Sequence, residues 1–510
     1  MSDTDQALRD VVRGAGITYV GLFIQLLIAF FAQIIAARHL SLDGFGGLTT
    51  GTAILNVGGV VAVLGLGKGL ARYLPQVEES GRRPLVRRAV AITLAVAIVI
   101  GTTISLTAGT IANSIFGDPT VTPSIAIFGA VIPFAAALKV AVGGHRGQKV
   151  PRYKVYVKNF IHPVTRITLV VAAVLLGLQQ AGIAGAYAIP YVLSAVVALY
   201  LLHRSLPASD ATFDETITRD LLSYSLPMTV TDMAGFIYRN ADIFLILWLL
   251  DSEAVAIYGV AYAAVKFMEM FSSAFNFLST PVASELDDEG ERADFFGVFT
   301  PVVRWLTIAS ICMLVPLGVF AEEFLTVIYG VKYGPGGAAL VVLAIGFAIR
   351  NVLAIHGPIL EGLGRSRLLM NNSLSTAVLN LGLNLVLIPR YGILGAAMAT
   401  AASYFIRELL SAIEVWYIIG EVPVDWSAIG PAAVGSMLVG AFAVWVGPLV
   451  PGTFLWLVVA SGAFSVVYLL VVLTLFGLSA SEVMVIRSVE ERFGLPLGPL
   501  NRVIRFFADE

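Results

Sequence analysis

The chain has 510 residues, of which 58% are hydrophobic and only 13% charged, with a mean hydropathy of +0.87. A soluble chain carries roughly a quarter charged residues, so composition excludes a soluble globular protein and points to a polytopic membrane protein. The net charge of −2 identifies no partner, because a bilayer sorts charge by side and not by sum.

A polar start containing Asp3, Asp5 and Asp10 leads into an apolar run over 14–36. That run exceeds a signal-peptide core and no small-residue cleavage pattern follows, so a retained helix is expected. Further runs lie near 44–66, 89–112, 121–142, 159–177, 182–202, 222–250, 254–279, 301–325, 338–362, 370–389, 392–418, 428–448 and 454–477. At about 20 apolar residues per crossing, they predict an all-α fold of about 14 spans. Their order gives a six-helix lobe over 1–220, a second over 221–420, and a final pair with a tail over 421–510. The tail alternates Val485, Ile486, Val489, Phe493, Val503, Ile504 and Phe507 with arginines, which suits a helix lying on the inner leaflet. Cys312, the single cysteine, has no partner for an intramolecular disulfide.

The lobes echo one another. Gly182-Ile183-Ala184-Gly185-Ala186 returns as Gly392-Ile393-Leu394-Gly395-Ala396, at the mouth of a turn between long helices, and 392 − 182 = 210. Leu40-Ser41-Leu42-Asp43-Gly44-Phe45-Gly46 is answered by Leu250-Asp251-Ser252-Glu253 and then Tyr258-Gly259. Two echoes at nearly one offset read as a duplicated half, the usual build of a transporter with its site between repeats.

Most of the 32 Lys and Arg fall in loops of one side. They include Lys68, Arg72, Arg82, Arg83, Arg87 and Arg88, then Arg146, Lys149, Arg152, Lys154 and Lys158, and later Arg365 and Arg367. Arg38, Lys332 and Arg390 fall opposite. The asymmetry predicts that both termini are cytoplasmic in a multi-pass protein of the cell membrane. The acidic residues Glu285, Asp287, Asp288, Glu289 and Glu291 then belong to a solvated cytoplasmic connection.

Six cations remain at membrane depth: Lys139, Arg166, Arg239, Lys266, Arg350 and Arg407. Lys139 is near a helix end and is expected to snorkel outward as a structural residue. A charge at the bilayer centre costs at least about 2.5–3.5 kcal/mol on insertion scales, so the others must face carboxylates, one another or a hydrated cavity. Helical spacing offers Asp232 and Asp242 to Arg239, Glu269 to Lys266, and Glu408 and Glu414 to Arg407. Such pairs can serve packing alone. The functional reading is a cation-lined cavity for an anion, phosphate above all, whose oxygens match the guanidinium donors in pairs. Arg239, Lys266, Arg350 and Arg407 would hold it, with Arg166 near the cytoplasmic entrance. Asn380 and Asn384 share a helical face, suited to sugar hydroxyls or to neighbouring helices.

Leu40–Gly46, the run Leu64-Gly65-Leu66-Gly67-Lys68-Gly69-Leu70, Gly362-Leu363-Gly364-Arg365 and Tyr391–Ala396 carry a resemblance. Together they resemble the polysaccharide-biosynthesis flippases of the multidrug/oligosaccharidyl-lipid/polysaccharide exporter superfamily. The resemblance implies two six-helix lobes around a cavity that opens alternately to each side, plus two extra helices. It also implies a substrate that is a lipid-linked sugar carrying phosphate or diphosphate. Drug exporters of that superfamily often carry an acidic residue in the first helix, where this chain has only Gln25 and Gln33 as large polar amides. The expectation is therefore a flippase moving a polyprenyl-phosphate-linked oligosaccharide outward, with an ion-coupled exporter of small amphipathic compounds as the alternative. An enzyme such as a polytopic glycosyltransferase is disfavoured by short outer loops. Lipid-linked glycan and membrane lipid are the expected partners; no cofactor, metal or nucleic acid is expected.

Overall fold

Helices are the only regular elements among the described residues of the computed structural model. These residues are 23–148, 150, 153, 155–207, 215–270, 272, 295–420, 426–447, 450 and 452–476. A segment crossing lipid must satisfy its backbone internally, which a helix does. The start of the first expected span, the acidic residues at 285–291 and the tail beyond 476 lie outside the described residues.

In chain order the helices are α1 (Phe23–His39), α2 (Leu42–Val63), α3 (Leu66–Tyr73), α4 (Glu79–Leu106), α5 (Thr122–Gly147), α6 (His162–Leu175), α7 (Gln180–Ser205), α8 (Glu215–Leu249) and α9 (Ser252–Val265). They continue as α10 (Phe295–Val319), α11 (Ala321–Ile328), α12 (Gly337–Leu353), α13 (His356–Gly362), α14 (Ser366–Tyr391), α15 (Ile393–Ile419), α16 (Trp426–Val446) and α17 (Phe454–Phe476). Among the described residues, 10 stretches are long and apolar enough to cross a membrane, and three shorter apolar helices accompany them. The run expected over 254–279 is interrupted: α9 ends at Val265, and Lys266–Met268 form a single 3₁₀ turn.

The chain forms two compact units, Met1–Ala263 with Ser373–Ala399, and Ala264–Asn372 with Thr400–Glu510. The first is built on α5, against which α2, α3, α4 and α7 pack. Its buried Ala135, Ala136, Ala137, Gly143 and Gly144 are small enough to let neighbouring backbones close in. The second is built on α10, which packs with α12, α16 and α17. Phe320 and Phe442 both meet Phe464 at ring distances of 5.9 and 6.1 Å, so the last two spans join this unit's core.

The echo at offset 210 has a local basis at one end. Ser41 caps α2 by accepting from the Gly44 N–H, and Asp251 caps the start of α9 by accepting from the Ala254 N–H, and 251 − 41 = 210. At the other end the copies differ. Gly392 itself makes the α14–α15 turn at φ +59°, whereas in the first copy Gly177 takes the left-handed position at φ +68°. Gly182 already lies in the first turn of α7, so the first copy has the longer connection.

Between α2 and α3 the helix is broken at Leu64 (φ +50°) and Gly65 (φ +67°). A Cβ on Gly65 would stand 2.9 Å from the Ser225 carbonyl carbon of α8, so only glycine lets the two backbones meet there. That close contact explains the glycine-rich Leu64–Leu70 run and aims Lys68 along α8.

Candidate functional site

In the second unit, charged side chains gather where two helices are interrupted. The turn Lys266–Met268 leaves a carbonyl without a helical partner, and Asn351, fully buried, donates to the Met268 oxygen at 2.7 Å. Two residues beyond Asn351, α12 ends and the chain turns through Ala354 and Ile355 into α13. Irregular backbone at membrane depth is tolerated where protein covers it or where it lines a cavity.

Arg350 sits one residue before Asn351 and forms an ion pair with Glu269. Its guanidinium stands 4.8 Å from the Tyr404 ring centre and 5.7 Å from that of Phe347, and the two rings meet edge to face. The close approach comes from one turn earlier, where Gly346 lies against Ala401. One turn beyond Tyr404, Glu408 is almost fully buried and interacts electrostatically with both Arg350 and Arg407. The Arg407 Nη2 lies 3.6 Å from the Glu408 Oε1. Arg350 and Glu269 keep 21% and 28% of their side-chain surface, so the pair is reachable by water and by a polar ligand. Lys266 is exposed on the turn that carries Met268.

A second cluster lies in the first unit. Lys68 pairs with Asp232 at 2.6 Å. Lys139 interacts electrostatically with Asp232 and with Lys158, the latter on the π-helical stretch Val155–Ile161. Lys139 thus faces a carboxylate and a second lysine within this unit. The bare backbone of Gly59 leaves room for its ammonium, and a Cβ there would stand 3.3 Å from Nζ. Arg166 donates to His162 at 2.7 Å and stacks over Tyr187 at 5.1 Å.

The remaining expected residues are placed as follows. Asp242 is buried and accepts from the Tyr258 hydroxyl and the Ile243 N–H. The Arg239 side chain lies outside what the structure describes. Glu414, assigned to Arg407 by spacing, accepts instead from Asn372 of α14 at 2.7 Å, because packing brings that helix closer than a residue two turns away. Asn384 donates to the backbone and side-chain oxygens of Asn380, so these two amides bond each other. The sequence reading missed Lys68, Asn351 and Tyr404. The one available signal was the Gly67-Lys68-Gly69 triplet, where flanking glycines announce a close helix contact.

At the opposite end of the first unit from the Lys68 break, the two capped helix starts meet. The Ser252 hydroxyl donates to Asp43 at 3.0 Å and its N–H donates to Asp118 at 3.0 Å. Thr120 also bonds Asp118 and lies 3.2 Å from the Ser252 hydroxyl. Gly46 faces the Ser252 backbone directly. Burial raises the Asp118 carboxyl, but the hydrogen bonds from Ser252 and Thr120 outweigh it and hold the group below its ordinary 3.8.

Comparison with known proteins adds to this geometry. A family model described as polysaccharide biosynthesis protein matches residues 35–336. A protein of Haloferax volcanii named "Probable low-salt glycan biosynthesis flippase Agl15" is 26% identical over 220 residues, 43% of this chain and 46% of that protein. A membrane protein of Methanocaldococcus jannaschii is 27% identical over 212 residues, 40% of each chain. The chain thus spans about half the length of the curated relatives it matches. Among solved structures, the lipid II flippase MurJ in an inward closed conformation superposes with a TM-score of 0.70 at 13% identity, covering 89% of this chain and 97% of that one. An inward-facing multidrug transporter of the MATE family reaches 0.67 at 15% identity, covering 78% and 94%. Both likenesses are of fold.

Proposed function

As this chain belongs to the polysaccharide biosynthesis protein family, we propose that it is a flippase for a polyprenyl-phosphate-linked oligosaccharide. It moves the sugar-phosphate head from the cytoplasmic to the outer face by alternating access, while the lipid tail stays in the bilayer. The similarity to a glycan flippase and to the MurJ fold supports this reading. The observation that carries it is the partly exposed Arg350, beside broken helices and flanked by Glu269, Glu408 and Arg407. In this cluster the carboxylates hold the guanidinium until phosphate replaces them, so the site is charged but never left with a bare cation. Lys266 and Arg407 contribute to the same phosphate site. The lobes 1–220 and 221–420 are the rocking repeats, 421–510 the extra pair, and both termini are cytoplasmic.

The test is export of the glycan in cells carrying variant chains. Loss of the chain should make lipid-linked glycan accumulate on the inner leaflet. Arg350→Gln should block export with membrane abundance nearly unchanged, and Arg350→Lys should retain part of it, since charge survives without paired hydrogen bonding. If Arg350 serves only packing, its removal takes a cation away from Glu269 and Glu408 and the protein is lost. Recovery of both abundance and export in Arg350→Gln with Glu269→Gln would refute the phosphate site. Transport that needs no glycan lipid would favour the exporter of small amphipathic compounds.

A further inference from the structure

A cavity of about 680 Å³ opens where α14 begins and α15 ends, within the second unit. Arg365 lines it just before α14 and Arg367 from the first turn of α14, and Ile413, Glu414, Trp416 and Tyr417 line it from α15. Nothing in the transport reading uses this place. We propose that it is a binding site for an anionic phospholipid, with the phosphate on the two arginines and a hydrocarbon chain along α15.

Three features converge on that ligand. First, both arginines are exposed at the start of a 26-residue helix, whose positive dipole end favours an anion. Second, Trp416 and Tyr417 keep 55% and 86% of their surface. Amphipathic rings left open beside arginines are the side chains of a headgroup-level belt. Third, Phe405, Leu409 and Ile413 are exposed at four-residue spacing on α15, a single apolar stripe leading into the cavity. A soluble phosphate would use the arginines and leave the stripe bare; a phospholipid covers both.

Glu414 is the one carboxylate in the lining, and its charge opposes an anion. Its carboxylate accepts from Asn372 at 2.7 Å, and Asn372 in turn lies 3.4 Å from Ser411. With that carboxylate hydrogen-bonded on the α14 side, two guanidinium groups face the opening against one engaged acid. The lining keeps a positive balance.

The experiment uses Trp416 as its reporter. Fluorescence of the purified full chain in vesicles is measured with and without Trp416→Phe, and the difference isolates this ring. Brominated phosphatidylglycerol should quench it at a roughly thirtyfold lower mole fraction than brominated phosphatidylcholine, the combined effect of two arginines on one headgroup. The preference should shrink as salt is raised. Arg365→Gln with Arg367→Gln should bring the two lipids level, while the paired lysine variants should keep most of the preference and report on folding. Equal quenching by both lipids in the wild type would overturn the proposal, as would a preference that survives loss of both arginines. Displacement by glycerol 3-phosphate would mark a soluble-phosphate site instead. Protection that grows with protein density would assign the cavity to a second copy. Glycan export is not read in this assay, so its outcome stands apart from the flippase reading.

Discussion

Replacing Gly46 with alanine should open the contact between the two helix starts. A Cβ at this position would stand 2.6 Å from the Ser252 carbonyl carbon and 3.1 Å from its Cα, where carbon atoms prefer about 3.5–4.0 Å. Both neighbours are backbone, so no side chain can swing aside, and α2 and α9 must separate by about 1 Å. The Ser252 bonds to Asp43 and Asp118, each 3.0 Å, do not survive that shift. Overpacking costs about 1–3 kcal/mol, and a hydrogen bond to a charged group contributes about 1.5–3 kcal/mol. The closed contact is therefore weakened by about 3 kcal/mol, roughly a hundredfold in its population relative to the open one. Thr49, one turn further along α2 and facing Gly259, reports on this. With Cys312→Ala and Thr49→Cys, an impermeant thiol reagent applied from outside should react roughly a hundred times faster once Gly46→Ala is added. An unchanged labelling rate with unchanged thermal stability would refute the reasoning. Acid should act in the same direction. Asp118 has a lowered folded pKa, so its stabilisation is present above 3.8 and is lost as pH falls below that value.

Other outcomes follow from the same geometry. Asn351→Ala should lower stability by about 1–3 kcal/mol, read by thermal unfolding, because the Met268 carbonyl loses its buried donor. Lys68→Gln should cost no more than about 1 kcal/mol, since both partners of its ion pair are more than a third exposed. Asp232→Asn should cost more, because Lys68, Lys139 and Lys158 then share a site with their nearby anion gone; the reverse order in unfolding temperature would refute this account. In a Cys312→Ala background, a cysteine at the exposed Gln179 should label from outside intact cells and one at Glu79 should not. Labelling of both would overturn the orientation.

Class and element type were legible in the amino-acid sequence because lipid imposes them. A chain this apolar has to close its backbone hydrogen bonds within each segment, so long apolar runs read directly as helices. The intramembrane cations stood out for the same reason, each too costly to face lipid. The partners were another matter. Spacing on one helix can nominate only neighbours three, four or seven residues away, and it offered Glu414 to Arg407. The folded chain takes Glu269 to Arg350, Asp232 to Lys68 and Glu414 to Asn372, each on another helix. Those choices depend on which backbones approach closely, and that is decided by Gly46, Gly65 and Gly346 meeting a partner that no local pattern reveals. The echoed motifs show the division most plainly. Their repetition was visible as letters, but the meeting of the Gly46 turn with the Ser252 turn exists only once α2 and α9 are packed, because a glycine's purpose lies in the atom opposite it.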